Sequence, residues 1–225
     1  MKQVEELVGR RRRVAETNTA APLIPPRPTI EKLQRAARDC RACPLWKSGT
    51  QTVFGEGSRT AQVVFVGEQP GNDEDLAGKP FVGPAGRLLN KALEEAGIDR
   101  DEVYVTNAVK HFKWEPKGKR RIHKKPNARE IAACHPWLQA ELEVLKPKLL
   151  VCLGATAAQA LLGREFRVSQ QRGELVESKL APNVIATVHP SSILRAPDDE
   201  TRRAEVKLFV SDLKKAAKVI HGLSS

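Results

Sequence analysis

The sequence lacks any apolar stretch close to the length of about 18 residues that a membrane-spanning helix needs. No basic amphipathic helix dominates it, which argues against a membrane surface as partner. The basic residues Arg10 to Arg13 are not followed by an apolar segment, so the pattern of a secretory signal is missing too. We therefore expect a cytoplasmic protein with no membrane partner.

Acidic residues are also scarce relative to basic ones. The 225 residues include 38 Lys and Arg but 27 Asp and Glu, which gives a formal net charge of +11 and a pI of about 9.7. Such an excess predicts a polyanionic partner, and nucleic acid is favoured because no membrane segment is found. In the reducing cytoplasm, the four cysteines favour metal binding over disulfides.

The order of apolar runs predicts the fold. Residues 1–28 combine a basic run with a proline-rich stretch, which indicates a flexible tail, and residues 29–225 form the predicted domain. Apolar runs typical of buried strands alternate with helical patterns and occupy residues 61–68, 102–110, 147–155 and 183–190. This alternation predicts a three-layer α/β/α domain around a mostly parallel four-stranded sheet.

Three unusual segments begin where predicted strands end, which is where folds of this class bind their ligands. They are GEQPG after the first strand, NAVKHFK with the following KRRIH after the second, and HPSS, which contains His189, after the fourth. Residues 110–129 hold six Lys and three Arg with one acid, Glu115. A nearly single-signed run at a strand end predicts contacts with DNA phosphates.

The cysteine spacing predicts a metal centre. Cys40 and Cys43 follow a short helix capped by Thr29, and a two-residue separation lets one turn offer two thiolates to one centre. Cys134 is a third candidate ligand, whereas Cys152 lies in an apolar run and is typical of a buried small side chain. His111 is then the best candidate for a fourth ligand. The spacing leaves zinc and an iron–sulphur cluster both open.

Two residues suggest recognition of a base. Asn107 occurs inside a predicted strand, where Asn is disfavoured, and its amide can match the adjacent carbonyl and N–H on one edge of uracil. Cytosine would leave these buried groups unpaired. Phe81 lies between two predicted turns, where an aromatic ring could stack on a planar ligand.

Taken in order, the Cys-x-x-Cys, GEQPGNDEDLAGKPFVGPAGRLL, VTNAVK and HPSS segments resemble the uracil-DNA glycosylase superfamily, specifically its iron–sulphur members, over about residues 30–220. The segment KRRIH resembles the UdgX-type branch, whose members remove uracil and become covalently attached to the abasic sugar. The resemblance implies a [4Fe–4S] cluster, with His111 replacing a family cysteine. The implied cluster ligands are Cys40, Cys43, His111 and Cys134.

The resemblance also implies roles around a flipped uracil. Phe81 would stack on it, Asn107 would read its edge, His189 would stabilise the departing anion, and the loop containing Gln69 and Gly71 would line the pocket. His123, held by Glu68, would attack C1′ of the sugar. We further expect DNA contacts from Lys110, Lys119, Arg120, Arg121, Ser191 and Ser192.

Three functions remain open at this stage. The first is a covalent uracil-DNA glycosylase that prefers single-stranded DNA and acts as a monomer near the nucleoid. The second is a turnover glycosylase in which water completes hydrolysis, and the third is a non-catalytic nucleic-acid-binding protein with a structural metal. How thymine would be excluded is not evident from the sequence.

Overall fold

The computed structural model describes residues 19–223. Most of the predicted tail, residues 1–28, lies outside this range, and its boundary with the domain stays a prediction. In the described part of that segment, Ala20 is fully buried, and its N–H donates to the carbonyl of Ala133 at 2.8 Å. Across residues 19–223, no helix combines the length and the apolar character needed to cross a membrane.

A mostly parallel sheet forms the centre of the molecule. The strands found in residues 19–223 are β1 (Glu56–Gly57), β2 (Val63–Gly67), β3 (Tyr104–Asn107), β4 (Trp114–Lys117), β5 (Arg120–His123), β6 (Leu149–Leu153), β7 (Leu175–Val176) and β8 (Asn183–Thr187). The central sheet has the order β1-β3-β2-β6-β8-β7. Its four inner strands are mutually parallel and match the four predicted ones, while β1 and β7 pair antiparallel at the edges.

The predicted α/β class is confirmed, but the sheet has six strands instead of four. The two additional strands are only two residues long each, too short to produce a recognisable apolar pattern.

Helices cover both faces of the sheet and complete the three layers. They are α1 (Ile30–Ala37), α2 (Asn72–Ala77), α3 (Pro84–Ala96), α4 (Ala128–Leu145), α5 (Ala155–Leu162), α6 (Val168–Gln171), α7 (Pro190–Leu194) and α8 (Asp199–Leu223). Alternate residues of β2 supply two separate cores, since successive strand side chains point to opposite faces. Val64 packs in a core with α1, α4 and α5, whereas Phe65 packs in a core with α3 and α8.

Capping residues set where two of these helices begin. Thr29 accepts the N–H of Lys32 at 3.3 Å, so the predicted cap of α1 is confirmed. At α4, the Asn127 side chain accepts the N–H of Glu130, and the Glu130 carboxylate accepts the N–H of Asn127. This reciprocal arrangement satisfies two backbone donors that the first turn cannot pair internally.

The basic segment after β3 is a hairpin, although the sequence indicated only a loop. Strands β4 and β5 pair antiparallel, with Trp114 opposite His123, and Gly118 takes a φ of +59° in the connecting turn. Charged residues occupy both faces of β4 and β5, so the alternation of apolar and polar residues that predicts a half-buried strand is missing.

Lys110 was expected to contact DNA, but it is a fully buried member of an ion pair. Its Nζ lies 2.5 Å from Oε2 of Glu141, which is also fully buried. The same Nζ donates to Oγ1 of Thr106 at 2.7 Å and to the carbonyl of Asn107 at 2.8 Å. Tyr104 donates its hydroxyl to Glu141 as well. Lys110 therefore supports the end of β3 from beneath and is not available to phosphates.

We expect Lys110→Met to lower the free energy of unfolding by about 3–5 kcal/mol, because it leaves the Glu141 carboxylate buried without a cation. Urea denaturation measures the loss. The double variant Lys110→Met/Glu141→Gln should regain most of it, since the amide still accepts hydrogen bonds and carries no charge. As a control, Lys113→Met breaks a more exposed ion pair with Glu130 and should cost less than about 1 kcal/mol. Equal losses for Lys110→Met and Lys113→Met would contradict this account.

Candidate active site

A cavity of about 630 Å³ lies at the carboxyl ends of the four parallel strands. Gly67 ends β2 and leads to Glu68, Asn107 ends β3, Leu153 ends β6, and His189 follows β8. All of the predicted catalytic and uracil-binding residues line this one space, together with one predicted DNA contact: Glu68, Gln69, Gly71, Phe81, Asn107, His123, His189 and Ser191. The fold thus brings together residues that are more than 120 positions apart in sequence.

One wall of the cavity is flat and closely packed. Asn107 is 3% exposed, and Phe81 is 7% exposed. An added Cβ at Gly67 would lie 2.8 Å from Cζ of Phe81 and would collide with the Asn107 amide oxygen, so only glycine fits there. Phe81 has a φ of +56°, a conformation that is rare and strained for an aromatic residue. The wall therefore combines an aromatic face with a polar amide, as a planar, hydrogen-bonding ligand requires.

His189 stands beside Phe81 as a neutral imidazole. The two rings are stacked, with centroids 6.1 Å apart and planes inclined by 28°. The N–H of Ser191 donates to Nδ1 of His189 at 3.1 Å, which places the proton of the neutral ring on Nε2. Burial, together with the smaller effects of the nearby His123 and Arg195, lowers the pKa of His189 to about 4. The ring is therefore a neutral donor at physiological pH.

His123 lies at the end of β5, opposite Glu68. Its Nε2 is 3.4 Å from Oε1 of Glu68, and about half of the imidazole side chain is exposed. The hydroxyl of Thr156, at the start of α5, donates to the other carboxylate oxygen. Burial lowers the pKa of His123, the charge of Glu68 raises it, and Arg195 lowers it. Burial, more than the lysines of the hairpin, thus favours the neutral imidazole with an unshared electron pair.

Thr156 and Arg195 were not identified from the sequence. Thr156 is 4% exposed and orients Glu68, while Arg195 ends α7 and lines the cavity near both histidines. Threonine in a helix and arginine in a loop are common, so neither residue type carries a signal of its own. Their place in the cavity could have been predicted only from the strand order, which brings the starts of α5 and α7 to the same edge of the sheet.

Gln69 lines the cavity, but its side chain is committed to the hairpin. Nε2 donates to the carbonyls of Lys113 and Lys124, at 3.1 and 3.0 Å, and Oε1 accepts the N–H of Lys113 at 3.2 Å. Both amide donors and the acceptor are therefore used by the two ends of the hairpin. The loop that contains Gln69 lies at the cavity wall as predicted, and its contact with uracil stays a prediction in which the Gln69 side chain would take no part.

Arg121, expected to grip a phosphate, instead fastens the hairpin to α2. Nη1 lies 2.6 Å from Oδ2 of Asp75, which is fully buried, and Nε donates to Oδ1 of Asn72 at 2.8 Å. Lys119 and Arg120, at the turn of the hairpin, are exposed and remain candidates for DNA contacts.

The two predicted serine contacts differ in their surroundings. Ser191 lies in the cavity wall and bonds to His189. Ser192 is exposed, and its hydroxyl donates to the carbonyl of His189 at 2.7 Å. Both hydroxyls thus help to fix the turn that carries His189.

The three candidate cysteine ligands are buried in one core cluster with Trp137. The Trp137 Nε1–H donates to Sγ of Cys40 at 3.3 Å, and the N–H of Lys110 donates to Sγ of Cys134 at 3.2 Å. The pKa of Cys134 is raised to about 12, mainly by burial; the positive charge of Lys110 opposes this rise, and Cys43 and Cys40 add to it. The sulphur atoms and their N–H donors suit thiolate ligation.

The predicted four-ligand set is nevertheless not assembled as a metal-ion site. The part of the chain that the structure describes holds no group of three or more His, Cys, Asp or Glu side chains placed to bind a metal ion. Nε2 of His111 lies 3.0 Å from Oγ1 of Thr52, and burial lowers the pKa of this histidine to about 4. Cys152 is fully buried inside β6, in agreement with its apolar surroundings in the sequence.

Comparison with known proteins agrees with the fold and the cavity. The model of the family described as "Uracil DNA glycosylase superfamily" matches residues 54–214, which make up most of the chain. The protein belongs to the uracil-DNA glycosylase superfamily.

Several type-4 uracil-DNA glycosylases are similar to it. That of Thermotoga maritima is 38% identical over 192 residues, which cover 85% of this chain and 94% of the relative. That of Archaeoglobus fulgidus is 39% identical over 176 residues, 75% of this chain and 85% of the relative. A type-5 uracil-DNA glycosylase of Pyrobaculum aerophilum is 27% identical over 207 residues, 84% of this chain and 86% of the relative.

We expect Gln69→Leu to make the hairpin more accessible to trypsin, because three hydrogen bonds to its two ends are lost. Cleavage within residues 117–125 should be about tenfold faster, which corresponds to ~1.4 kcal/mol of easier local opening. Limited proteolysis followed by mass spectrometry measures the rate at each site. Gln139→Leu, which removes an exposed glutamine of α4, serves as the control. Unchanged cleavage in Gln69→Leu would show that other contacts hold the hairpin.

Proposed function

We propose that the protein excises uracil from DNA and becomes covalently attached to the resulting sugar through His123. The observation that carries this proposal is that His123 and Glu68 line the same cavity as Asn107, Phe81 and His189. Membership of the uracil-DNA glycosylase superfamily supports the excision step. The position of a neutral imidazole beside a carboxylate supports the covalent step.

The buried wall would recognise a uracil that has left the base stack. Asn107 can donate to O4 and accept from N3–H, whereas the corresponding edge of cytosine offers the opposite pattern. A mismatched base leaves buried polar groups unpaired, which is costly at a residue that is 3% exposed. Phe81 would pack against the face of the ring. Flipping costs less from a single strand than from a paired duplex, which supports a preference for single-stranded DNA.

Bond cleavage would depend on stabilising the departing base. As the bond between C1′ and N1 breaks, the electron pair stays with uracil, and the sugar becomes cation-like. The Nε2–H of neutral His189 would donate to the uracil anion, and no proton need be released first. Arg195, at the same edge of the cavity, adds positive charge that favours the anion.

His123 would then complete the reaction in place of water. Its unshared electron pair forms a bond to C1′, and the alkylated ring becomes an imidazolium. Glu68 would stabilise this cation through Oε1, while Thr156 holds Oε2. An alkylated imidazolium has no easy route to hydrolysis, so the adduct would persist.

We expect a heat- and SDS-stable adduct when the protein is incubated with uracil-containing single-stranded DNA. His123→Ala should abolish the adduct because the attacking nitrogen is lost, while Arg203→Ala, an exposed change on α8, should leave it intact. Gel mobility detects the adduct, and free uracil is quantified separately.

Two other outcomes would point to other functions. Free uracil and abasic DNA without an adduct would indicate a turnover glycosylase, and neither product would indicate a binding protein. An adduct that persists in His123→Ala would remove this residue as nucleophile.

We further propose that Cys40, Cys43 and Cys134 hold a [4Fe–4S] cluster, with His111 as fourth ligand after its ring turns from Thr52. The burial of the three thiols together and the N–H donors to Cys40 and Cys134 support this assignment. When bound, the cluster would connect the turn after α1 to α4 and so stabilise this face of the domain.

Protein purified without oxygen should contain iron and show the broad visible absorbance of an iron–sulphur cluster. We expect Cys134→Ser to lose most of the iron, because one of three thiolate ligands is removed. Cys152→Ala, which changes the buried cysteine of β6, is the matched control and should retain it. Zinc in place of iron, or equal iron in both variants, would contradict the assignment.

A further inference from the structure

A second cavity, of about 470 Å³, lies beside the one that contains His123. We propose that it binds the nucleotide next to the target uridine in the same DNA strand. This inference rests on the proposed uracil excision and adds a second binding subsite to it. The cavity lies between the first turns of α4 and the length of α5, and its lining residues are Lys125, Pro126, Ala128, Ile131, Ala132, His135, Thr156, Gln159, Ala160 and Arg164.

The two cavities adjoin. Both are lined by Lys125, which follows β5, and by Thr156, which begins α5. Thr156 donates to Glu68 on the catalytic side, so the second cavity starts directly behind the carboxylate that faces His123. The shared lining residues therefore place the second cavity next to the position of a nucleotide that is attached to a deoxyuridine in the first.

The lining of the second cavity suits a nucleotide. Its floor is made of aliphatic side chains, including Ile131 and Ala160, which can pack against a base or a sugar. The volume falls within the usual range of small-molecule sites, about 300–1,000 Å³.

Polar groups surround this aliphatic floor. The Gln159 amide donates to the carbonyl of Phe166 at 3.2 Å, which leaves its oxygen as an acceptor. His135, on α4, also lines the cavity, and its ring nitrogens can form hydrogen bonds with a base. These groups match the mixed donors and acceptors on base edges.

The charges at the rim match a phosphate. Lys125 and Arg164 are exposed, and the lining contains no acidic side chain. Among residues 19–223, neither cation takes part in an ion pair. By contrast, a third cavity, of about 380 Å³, is lined by Asp99, Asp101 and Glu102 and would repel a phosphate. Charge therefore favours a nucleotide of the bound strand at the second cavity.

The test uses full-length protein and short single-stranded DNAs that each contain one deoxyuridine. In one series, the neighbouring nucleotide on the 5′ side or on the 3′ side is replaced by an abasic spacer. Uracil release and adduct formation are measured on these strands. Binding is measured by fluorescence anisotropy on matched strands in which the deoxyuridine is replaced by the cleavage-resistant 2′-fluoro-2′-deoxyuridine. We expect the spacer on one side, and not the other, to weaken binding about tenfold, the equivalent of ~1.4 kcal/mol.

Two variants connect that effect to the cavity. Ala160→Trp fills the cavity with an indole ring. The affinity of this variant for the complete strand should equal that of the wild-type protein for the spacer strand. Its affinity for the spacer strand should be no lower still. Arg164→Ala should reduce the slope of log affinity against log salt by about 0.7, since one phosphate contact is lost. Arg203→Ala removes an exposed arginine elsewhere and should change neither measurement.

The outcomes separate the subsite from the chemistry. Equal binding of both spacer strands and the complete strand, or a spacer effect that persists in Ala160→Trp, overturns the subsite even when uracil is released normally. A one-sided spacer effect that Ala160→Trp removes supports the subsite. The same effect in a protein that releases no uracil overturns the proposed excision and leaves the binding site in place. Thermal unfolding confirms that each variant is folded.

Discussion

The side-chain amide of Gln69 is the contact on which the candidate site depends most. A two-stranded hairpin is at best marginally stable by itself, and this one carries an excess of positive charge that opposes its own compaction. The Gln69 amide binds both ends of the hairpin, and Arg121 binds it to the buried Asp75. Trp114 adds a third contact, donating to the carbonyl of Ser48 at 2.8 Å. These contacts help to place His123 opposite Glu68.

The two halves of the cavity are held by different physical means. Asn107 ends β3 beside the buried Lys110–Glu141 pair, and Phe81, in the turn between α2 and α3, packs closely against Gly67 at the end of β2. His123 stands on a segment held by polar contacts near the surface, with about half of its side chain exposed. A rigid wall suits discrimination between bases, because relaxation would weaken the penalty for a mismatch. A less rigid segment would suit the proposed role of His123 as nucleophile, because the sugar would change shape as its bond breaks.

Apolar runs were sufficient to predict the parallel strands, and hence the edge at which GEQPG, Asn107 and HPSS meet. They could not show whether a charged side chain has a partner. In the sequence, nothing distinguishes Lys110 and Arg121 from the exposed Lys119 and Arg120. In the structure, however, Lys110 pairs with Glu141 and Arg121 pairs with Asp75, and both acids are distant along the chain. The sequence predicted correctly that Gln69 lies at the cavity. Its hydrogen bonds to the hairpin could not be predicted, because the charged residues of β4 and β5 do not show the alternation that indicates paired strands. Thr156 and Arg195 became visible only through the order of the strands.

None of the residues of β4 and β5 belongs to either apolar core of the described chain. The hairpin is thus an appendage on an α/β domain that is complete without it. The hairpin that carries the proposed nucleophile could therefore be altered, shortened or exchanged while the scaffold and the wall formed by Asn107 and Phe81 persist. For protein engineering, hairpins that carry different nucleophilic side chains could be joined to the same α/β domain without redesign of its core.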